Sequence, residues 1–272
     1  MRLGLSSSLA HNGARDWAAK QSSLGCRSVV FPLTYEASDA DISDYVSAAG
    51  DYDLTIAEVG IWKNVFALNT QEREAARRFA VGQLHLADAI GARCCVNIAG
   101  TFGGPQWDGG YRENFSRECW DMTVEYVQNL IDEVRPSRTE FSLEPMPWMI
   151  PTGPDEYLRL IQDIDREAFG VHLDVVNMIN CPERYFNSDD FLEECFDKLA
   201  GLIRSCHVKN IRLEPTLTFK LQETGVADGS LNLRHYLELA DKEDSDMPLI
   251  IEHLTTDEEY ILALRYVRSL LG

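Results

Sequence analysis

The chain is poor in positive charge, in histidine and in paired cysteine, and each shortage closes off a class of function. Its 272 residues carry 25 Lys and Arg against 44 Asp and Glu, a formal net charge of −19. Binding DNA or RNA takes clustered cations that displace counterions from phosphates, so no nucleic-acid partner is expected. The seven cysteines are odd in number and none stands in CxxC spacing. That pattern argues against a disulfide framework or a zinc knuckle, and for buried free thiols in a reducing cytoplasm. No apolar run approaches the length of about 18 residues that a membrane helix needs. The opening MRLGLSSSLAHNGARDW meets Asp16 early and does not read as a signal peptide. Neither GxGxxG nor GxxxxGK[ST] occurs at a helix start, which removes the usual dinucleotide and P-loop folds. No Gly/Ser/Pro linker divides the chain, so residues 1–272 are expected to form one domain.

What the chain does contain is a regular alternation. Eight apolar or β-branched runs read as strands: RLGLS (2–6), RSVVFP (27–32), LTIAEVG (54–60), CCVNIAG (94–100), EFSLEP (140–145), GVHLDVV (170–176), SCHVKN (205–210) and LIIEHL (249–254). Amphipathic stretches with helix-start signals separate them. Pro154 followed by Asp155 and Glu156 suits a first helical turn. Thr256 with Glu259 forms a capping-box pair, after which Tyr260, Leu264, Val267 and Leu271 fall on one face. With 45% hydrophobic residues the chain can build a large core. Eight β/α repeats predict an α/β fold, a closed (β/α)8 TIM barrel.

Strand alternation then sorts the polar residues. Ser142 with Glu144, His172 with Asp174, Ser205 with His207, and Ile250 with Glu252 share faces, while Phe141, Leu143, Val171, Leu173, Cys206, Val208, Leu249 and Ile251 point toward the helices. The polar set therefore faces the barrel axis, at the C-terminal rim where this fold keeps its chemistry. Glu144 and Asp174 are 30 residues apart, Asp174 and His207 33, and His207 and Glu252 45. The first two spacings are single β/α repeats; the third includes a longer loop, EPTLTFKLQETGVADG. Three carboxylates in one cavity repel unless a cation joins them, and one divalent metal ion with oxygen ligands and an imidazole meets that demand. Taken singly, a strand-end Glu is commonly a salt-bridge residue and a strand His a satisfied core residue. The four together on four successive strands outweigh those readings.

With these residues in place, the chain resembles the xylose isomerase-like barrel superfamily, in its branch of sugar phosphate isomerases and epimerases. The resemblance is carried by LEPMPW around Glu144, VHLDVVN around Asp174, SCHVKN around His207, LIIEHL around Glu252 and the ADGSLN turn at 227–232. It implies that Glu144, Asp174, His207 and Glu252 bind a catalytic Mn2+, or Mg2+, Co2+ or Zn2+, with manganese foremost. It further implies a sugar or keto-sugar substrate, an enediolate, and Glu144 and Glu252 as acid/base groups on opposite faces. The chain departs from the family in three places. Asn177 stands where ketose 3-epimerases have a histidine, Asn210 ends what is usually His-x-Lys-Asp, and Ala227 replaces the first glycine of the turn. Elimination, as in inosose dehydration, begins with the same proton abstraction and is the alternative. A repair endonuclease of the superfamily would need more zinc-binding histidines than these six supply. A binding protein without turnover is opposed by the intact Glu144 and Glu252.

The remaining substrate-binding candidates are Lys209, on the face of His207, and Arg212, similar to the family's substrate-contacting arginine. Glu58 and Asn97 are expected to face inward with Ile56 and Cys95, and Asn177 and His172 beside Asp174. Trp62, Phe102, Trp107 and Trp148 lie in rim loops, where rings could stack on a sugar or pack the loop. The apolar run Met146 to Ile150 suits a roof over the site or the interface of a homo-oligomer.

Overall fold

The computed structural model of the protein describes residues 1–271. Its strands are β1 (Arg2–Leu5), β2 (Ser28–Val30), β3 (Thr55–Gly60), β4 (Cys94–Asn97), β5 (Glu140–Leu143), β6 (Phe169–Leu173), β7 (Ile203–Val208), β8 (Asn210–Leu213), β9 (Leu221–Thr224) and β10 (Pro248–Ile251). Eight of them close a parallel barrel in the order β1-β10-β7-β6-β5-β4-β3-β2. The helices are α1 (Ala14–Ser23), α2 (Asp39–Asp51), α3 (Thr70–Ile90), α4 (Arg117–Val134), α5 (Pro154–Ile164), α6 (Val175–Met178), α7 (Pro182–Phe186), α8 (Ser188–Lys198), α9 (Leu233–Glu243) and α10 (Asp257–Ser269). Among the described residues, no helix is long and apolar enough to cross a membrane.

The core lies between the strands and the helices. Phe141, Leu143, Val171, Leu173, Cys206, Val208, Leu249 and Ile251 are all buried in one apolar cluster, on the face that alternation assigns to them. Helices meet them with residues at helical spacing: α5 buries Tyr157, Leu160 and Ile164, and α4 buries Trp120, Val127, Leu130 and Ile131. Pro154 opens α5, and Thr256 and Glu259 form the full capping box of α10. That helix ends at Ser269, so Leu271 lies beyond it and is exposed rather than on its buried face. All seven cysteines are free; six are buried and Cys181 is partly exposed.

Two register shifts set which side chains look into the barrel. Between β6 and β7, Val171 pairs with Ile203 but His172 pairs with Ser205, so β7 carries one extra residue and Ser205 and His207 turn inward. Between β2 and β3, Val29 pairs with Ile56 but Val30 pairs with Glu58. Such an insertion re-aims a side chain: Glu58 faces the barrel interior, while Ile56 joins the outer cluster instead of sharing its face. On β4 the register pairs Glu58 with Cys94 and Ser142 with Val96. Cys94 and Val96 therefore line the interior, and Cys95, expected there, packs outward.

The long connection expected after β7 is instead an antiparallel hairpin, β8 with β9, over the rim. Its base is held by Asn210, whose amide donates to Val226 O and accepts from Leu231 N. Gly229 is required beside it, because a Cβ there would lie 2.1 Å from Asn210 Oδ1. Asn210 is thus a buried hinge of the hairpin, its amide serving as donor and acceptor at once.

Candidate metal centre

Four side chains from four neighbouring barrel strands meet at the rim. Glu144 follows β5 directly, Asp174 follows β6 and caps α6, His207 sits near the end of β7, and Glu252 follows β10. One ligand-type atom from each lies within 4.8 Å of the others. His207 Nδ1 stands 2.9 Å from Glu252 Oε2, 3.4 Å from Glu144 Oε1 and 3.8 Å from Asp174 Oδ2. All four residues are buried, at 7% exposure or less.

Backbone and buried hydroxyls fix this arc. Tyr236 donates to His207 O at 2.9 Å, and Tyr157 donates to Leu143 O, one residue before Glu144, at 2.6 Å. Asp174 Oδ1 accepts from Asn177 N, and the Asn177 amide donates to Glu144 Oε1 at 3.0 Å. His253, immediately after Glu252, has a left-handed backbone (φ 58°) uncommon for a side-chain-bearing residue. There it meets Glu223 of the hairpin at 2.9 Å.

The electrostatics are those of a site with too much negative charge. Burial, and next to it the Glu252 charge, hold the Glu144 carboxyl above its usual range. Burial also raises Glu252 and Asp174, but His207 and Lys209 outweigh it; Glu252 falls to about 2 and Asp174 lies well below its ordinary value. Burial disfavours the His207 imidazolium, yet Glu252, Glu58 and Glu144 reverse that and push its pKa well up. Lys209 is 2% exposed and bridges Asp174 Oδ2 (2.7 Å) and Glu252 Oε1 (2.8 Å).

Beneath the arc, Glu58 contacts His172 Nε2 at 3.2 Å and His207 Nε2 at 3.4 Å, and accepts from Ser205 Oγ. It is 1% exposed, and its two oxygens are taken up by these three side chains beneath the rim. His172, fully buried, packs edge-on against His207 with ring centres 4.1 Å apart.

The other expected contacts disperse. Asn97 commits its amide to the Lys63 backbone, accepting from N at 3.1 Å and donating to O at 3.0 Å; it braces the loop after β3. The Arg212 side chain is 51% exposed on β8 and pairs with Glu214 at 3.1 Å, outside the buried arc. Trp107 lines a separate cleft of about 800 Å³ with Tyr35, Lys63 and Phe79, and the described lining includes none of the four arc residues. Trp148 is exposed and donates to Asp108 O at 2.6 Å, fastening the loop after β5 to the loop after β4. In that loop Met149 and Ile150 are buried in the apolar core, and only Met146 approaches the arc, its Sδ 3.7 Å from the Asn177 amide. Trp62 is exposed, and Phe102 packs on Phe66.

The residues present fit a divalent ion. His207 Nδ1 and Asp174 Oδ2 are buried with no hydrogen bond of acceptable geometry among the described residues, although charged partners stand close. One imidazole and three carboxylates form a donor set that suits Mn2+, Mg2+, Co2+ or Zn2+.

The comparison with known families agrees with the fold. A family model described as xylose isomerase-like TIM barrel matches residues 18–270, and the chain belongs to that family. Among solved structures it is similar to endonuclease IV from Thermus thermophilus (TM-score 0.74, 15% identity, covering 100% of this chain and 99% of that one). A probable 3-DHS dehydratase from Bacillus anthracis gives TM-score 0.73 at 15% identity, with 100% and 99% covered. D-psicose 3-epimerase from Clostridium cellulolyticum gives 0.70 at 15%, again covering 100% and 99%. At such identities the likeness is one of fold. No curated protein matches the chain by sequence.

Proposed function

We propose that the protein is a divalent-metal-dependent sugar isomerase or epimerase that moves a proton next to a carbonyl through an enediolate. The observation that carries this reading is the arc itself: Glu144 and Glu252 stand at its two ends, with Asp174 and His207 between them. Glu144, Asp174, His207 and Glu252 would hold the ion, manganese being the first to test. When bound, such an ion supplies electrophilic stabilisation to oxygen as negative charge develops on the substrate.

The chain's own residues do the rest. One glutamate removes the carbon-bound proton and the other returns a proton; delivery to the opposite face inverts the centre, which is epimerisation. Lys209 holds Asp174 and Glu252 at their spacing and keeps a positive charge at the edge of the site. Asn177 orients Glu144 through its amide. Met146, beside the Asn177 amide, would set an apolar side chain at the edge of the site, which limits water around an enediolate. Nucleic acid is not proposed as a substrate, because 44 acidic residues face only 25 basic ones.

Elimination is the second reading, and Asn177 is the observation in its favour. An amide that donates to Glu144 cannot accept a proton as a histidine there could, which changes how the intermediate collapses. Metal analysis of purified protein, followed by NMR in D2O against ketoses, keto-sugars and inososes, tests both readings. Stoichiometric metal with deuterium at one carbon and an epimeric product supports the first. Loss of water supports the second. Protein that takes up no divalent ion would overturn both.

A further inference from the structure

We infer that Glu58 is a positioning residue that selects Nδ1 of His207 as the metal-ligating nitrogen, an inference that rests on the proposed role of His207 as a ligand. The two ring nitrogens face different surroundings. Nδ1 looks at Glu144, Asp174 and Glu252, within 2.9–3.8 Å. Nε2 looks down the barrel at Glu58 Oε2, 3.4 Å away. Both nitrogens face carboxylates, so without an ion each side favours a proton. An ion held by Glu144, Asp174 and Glu252 displaces the proton on Nδ1, while Glu58, an ionised carboxylate that only accepts, keeps the proton on Nε2. With Glu58 in place, the lone pair points into the arc.

The rest of the layer serves the same arrangement. Glu58 Oε1 accepts from Ser205 Oγ and lies 3.2 Å from His172 Nε2, so both carboxylate oxygens are engaged and neither can rotate away. The His172 ring packs edge-on against His207, which blocks the ring flip that would exchange its nitrogens. The backbone makes a special provision as well: the extra residue of β3 against β2 is what turns Glu58 inward. Barrel interiors of this fold are ordinarily filled by branched aliphatic side chains. A fully buried carboxylate at that level is costly to desolvate, and aliphatic filling would be the more stable packing. Hydrogen bonding by an outer carboxylate to a metal-binding histidine sets ring orientation and basicity, and its loss typically lowers metal affinity by about 10–100-fold.

The test uses the full chain with Zn2+ as the diamagnetic probe. In zinc-loaded wild type labelled with ¹⁵N-histidine, His207 should show a protonated Nε2 and a metal-bound Nδ1. Glu58→Gln keeps the size but offers an NH2 that stabilises the opposite tautomer, so zinc affinity should fall by about 10–100-fold and the Nδ1-bound signal should become mixed or reversed. Ser142→Ala removes another buried, unpartnered interior hydroxyl and should leave affinity within about twofold. Wild type that ligates through Nε2 overturns the inference even if the glutamine variant does not fold. So does a folded Glu58→Gln with wild-type affinity and tautomer, or a Ser142→Ala loss as large as that of Glu58→Gln. Zinc bound by wild type with an indifferent Glu58 leaves the proposed function standing; a wild type that binds no ion removes both.

Discussion

The two halves of the barrel use the same repeat for different ends. In the arc formed by β5, β6, β7 and β10, each strand delivers one proposed ligand to the rim, Glu144, Asp174, His207 and Glu252, and Lys209, which follows β7, stands between two of them. On the opposite arc, interior positions of β1, β2 and β4 are small or apolar, with Gly4, Ser28, Cys94 and Val96 in register around the closure. Only β3 sends a charge inward, and Glu58 crosses the barrel to reach His207 of the other arc. Chemistry is thus concentrated on one side, while the other supplies closure, loop bracing and a single support. Polar residues of the two arcs should therefore respond to mutation in different observables: activity on one side, stability on the other.

The largest expected contrast is between the glutamates and Asn97. Glu144→Gln and Glu252→Gln keep an oxygen for the ion but not a proton acceptor at neutral pH. Each should retain substantial metal and lose turnover by about 10²–10⁴-fold, the range for general acid–base groups. Asn97→Ala leaves the Lys63 backbone groups without their partners, which should cost about 1–3 kcal/mol of stability with turnover per folded molecule preserved. Metal content, denaturant midpoints and steady-state rates decide the matter. Glutamine variants near full activity would exclude the two-base mechanism, and an Asn97→Ala enzyme that is stable but dead would erase the division between the arcs.

Metal removal should separate the arcs next. The proposed ligands all belong to one side, and their charges repel when no ion is bound. Chelation should lower Tm, and an ion at 100 times its Kd should restore about 2.7 kcal/mol. His207→Ala should abolish that metal-dependent rise. Glu58→Gln should reduce it, since that support comes from across the barrel. An equal metal-dependent Tm rise in wild type and His207→Ala, by differential scanning fluorimetry, would place the ion elsewhere.

How much of this was legible in the sequence follows the same division. Eight strands and the four rim residues could be read because β5, β6 and β7 from Ser205 onward alternate between outward apolar and inward polar positions. In β10 the outward Leu249 and Ile251 set the phase of Glu252. The face of Ile56 could not be read, because the extra residue at β3 is a property of how two strands pair. Those of Cys95 and Asn97 could not, because β4 is buried at every position and shows no inward–outward contrast. Glu58 was visible as an inward carboxylate, but its depth beneath the rim depends on barrel stagger. The β8–β9 hairpin was hidden for another reason. Its strands have four residues each and partly exposed faces, so no apolar periodicity marks them; pairing alone defines them. Trp107 and Arg212 show the limit of reading loops, whose side chains are placed by tertiary contacts rather than by a repeat.

The smallest effect, and the sharpest local comparison, lies within one short segment. Lys209 and Arg212 are both cations after His207, yet the first is 2% exposed between Asp174 and Glu252 and the second points its guanidinium toward solvent, with its side chain 51% exposed. Lys209→Met removes the one ammonium that separates two carboxylates while keeping much of its volume. The metal-free form should lose stability, and the metal-induced rise in Tm should widen, because the ion then relieves repulsion that Lys209 no longer screens. Arg212→Ala should change stability by no more than about 0.5 kcal/mol, the usual range for an exposed pair such as Arg212 with Glu214. Its turnover should also stay close to wild type if the hairpin only covers the rim. A large rise in KM for Arg212→Ala, with kcat and stability unchanged, would instead show that β8 carries substrate-binding function beyond the buried arc, and the one-sided picture of the site would have to extend to the hairpin.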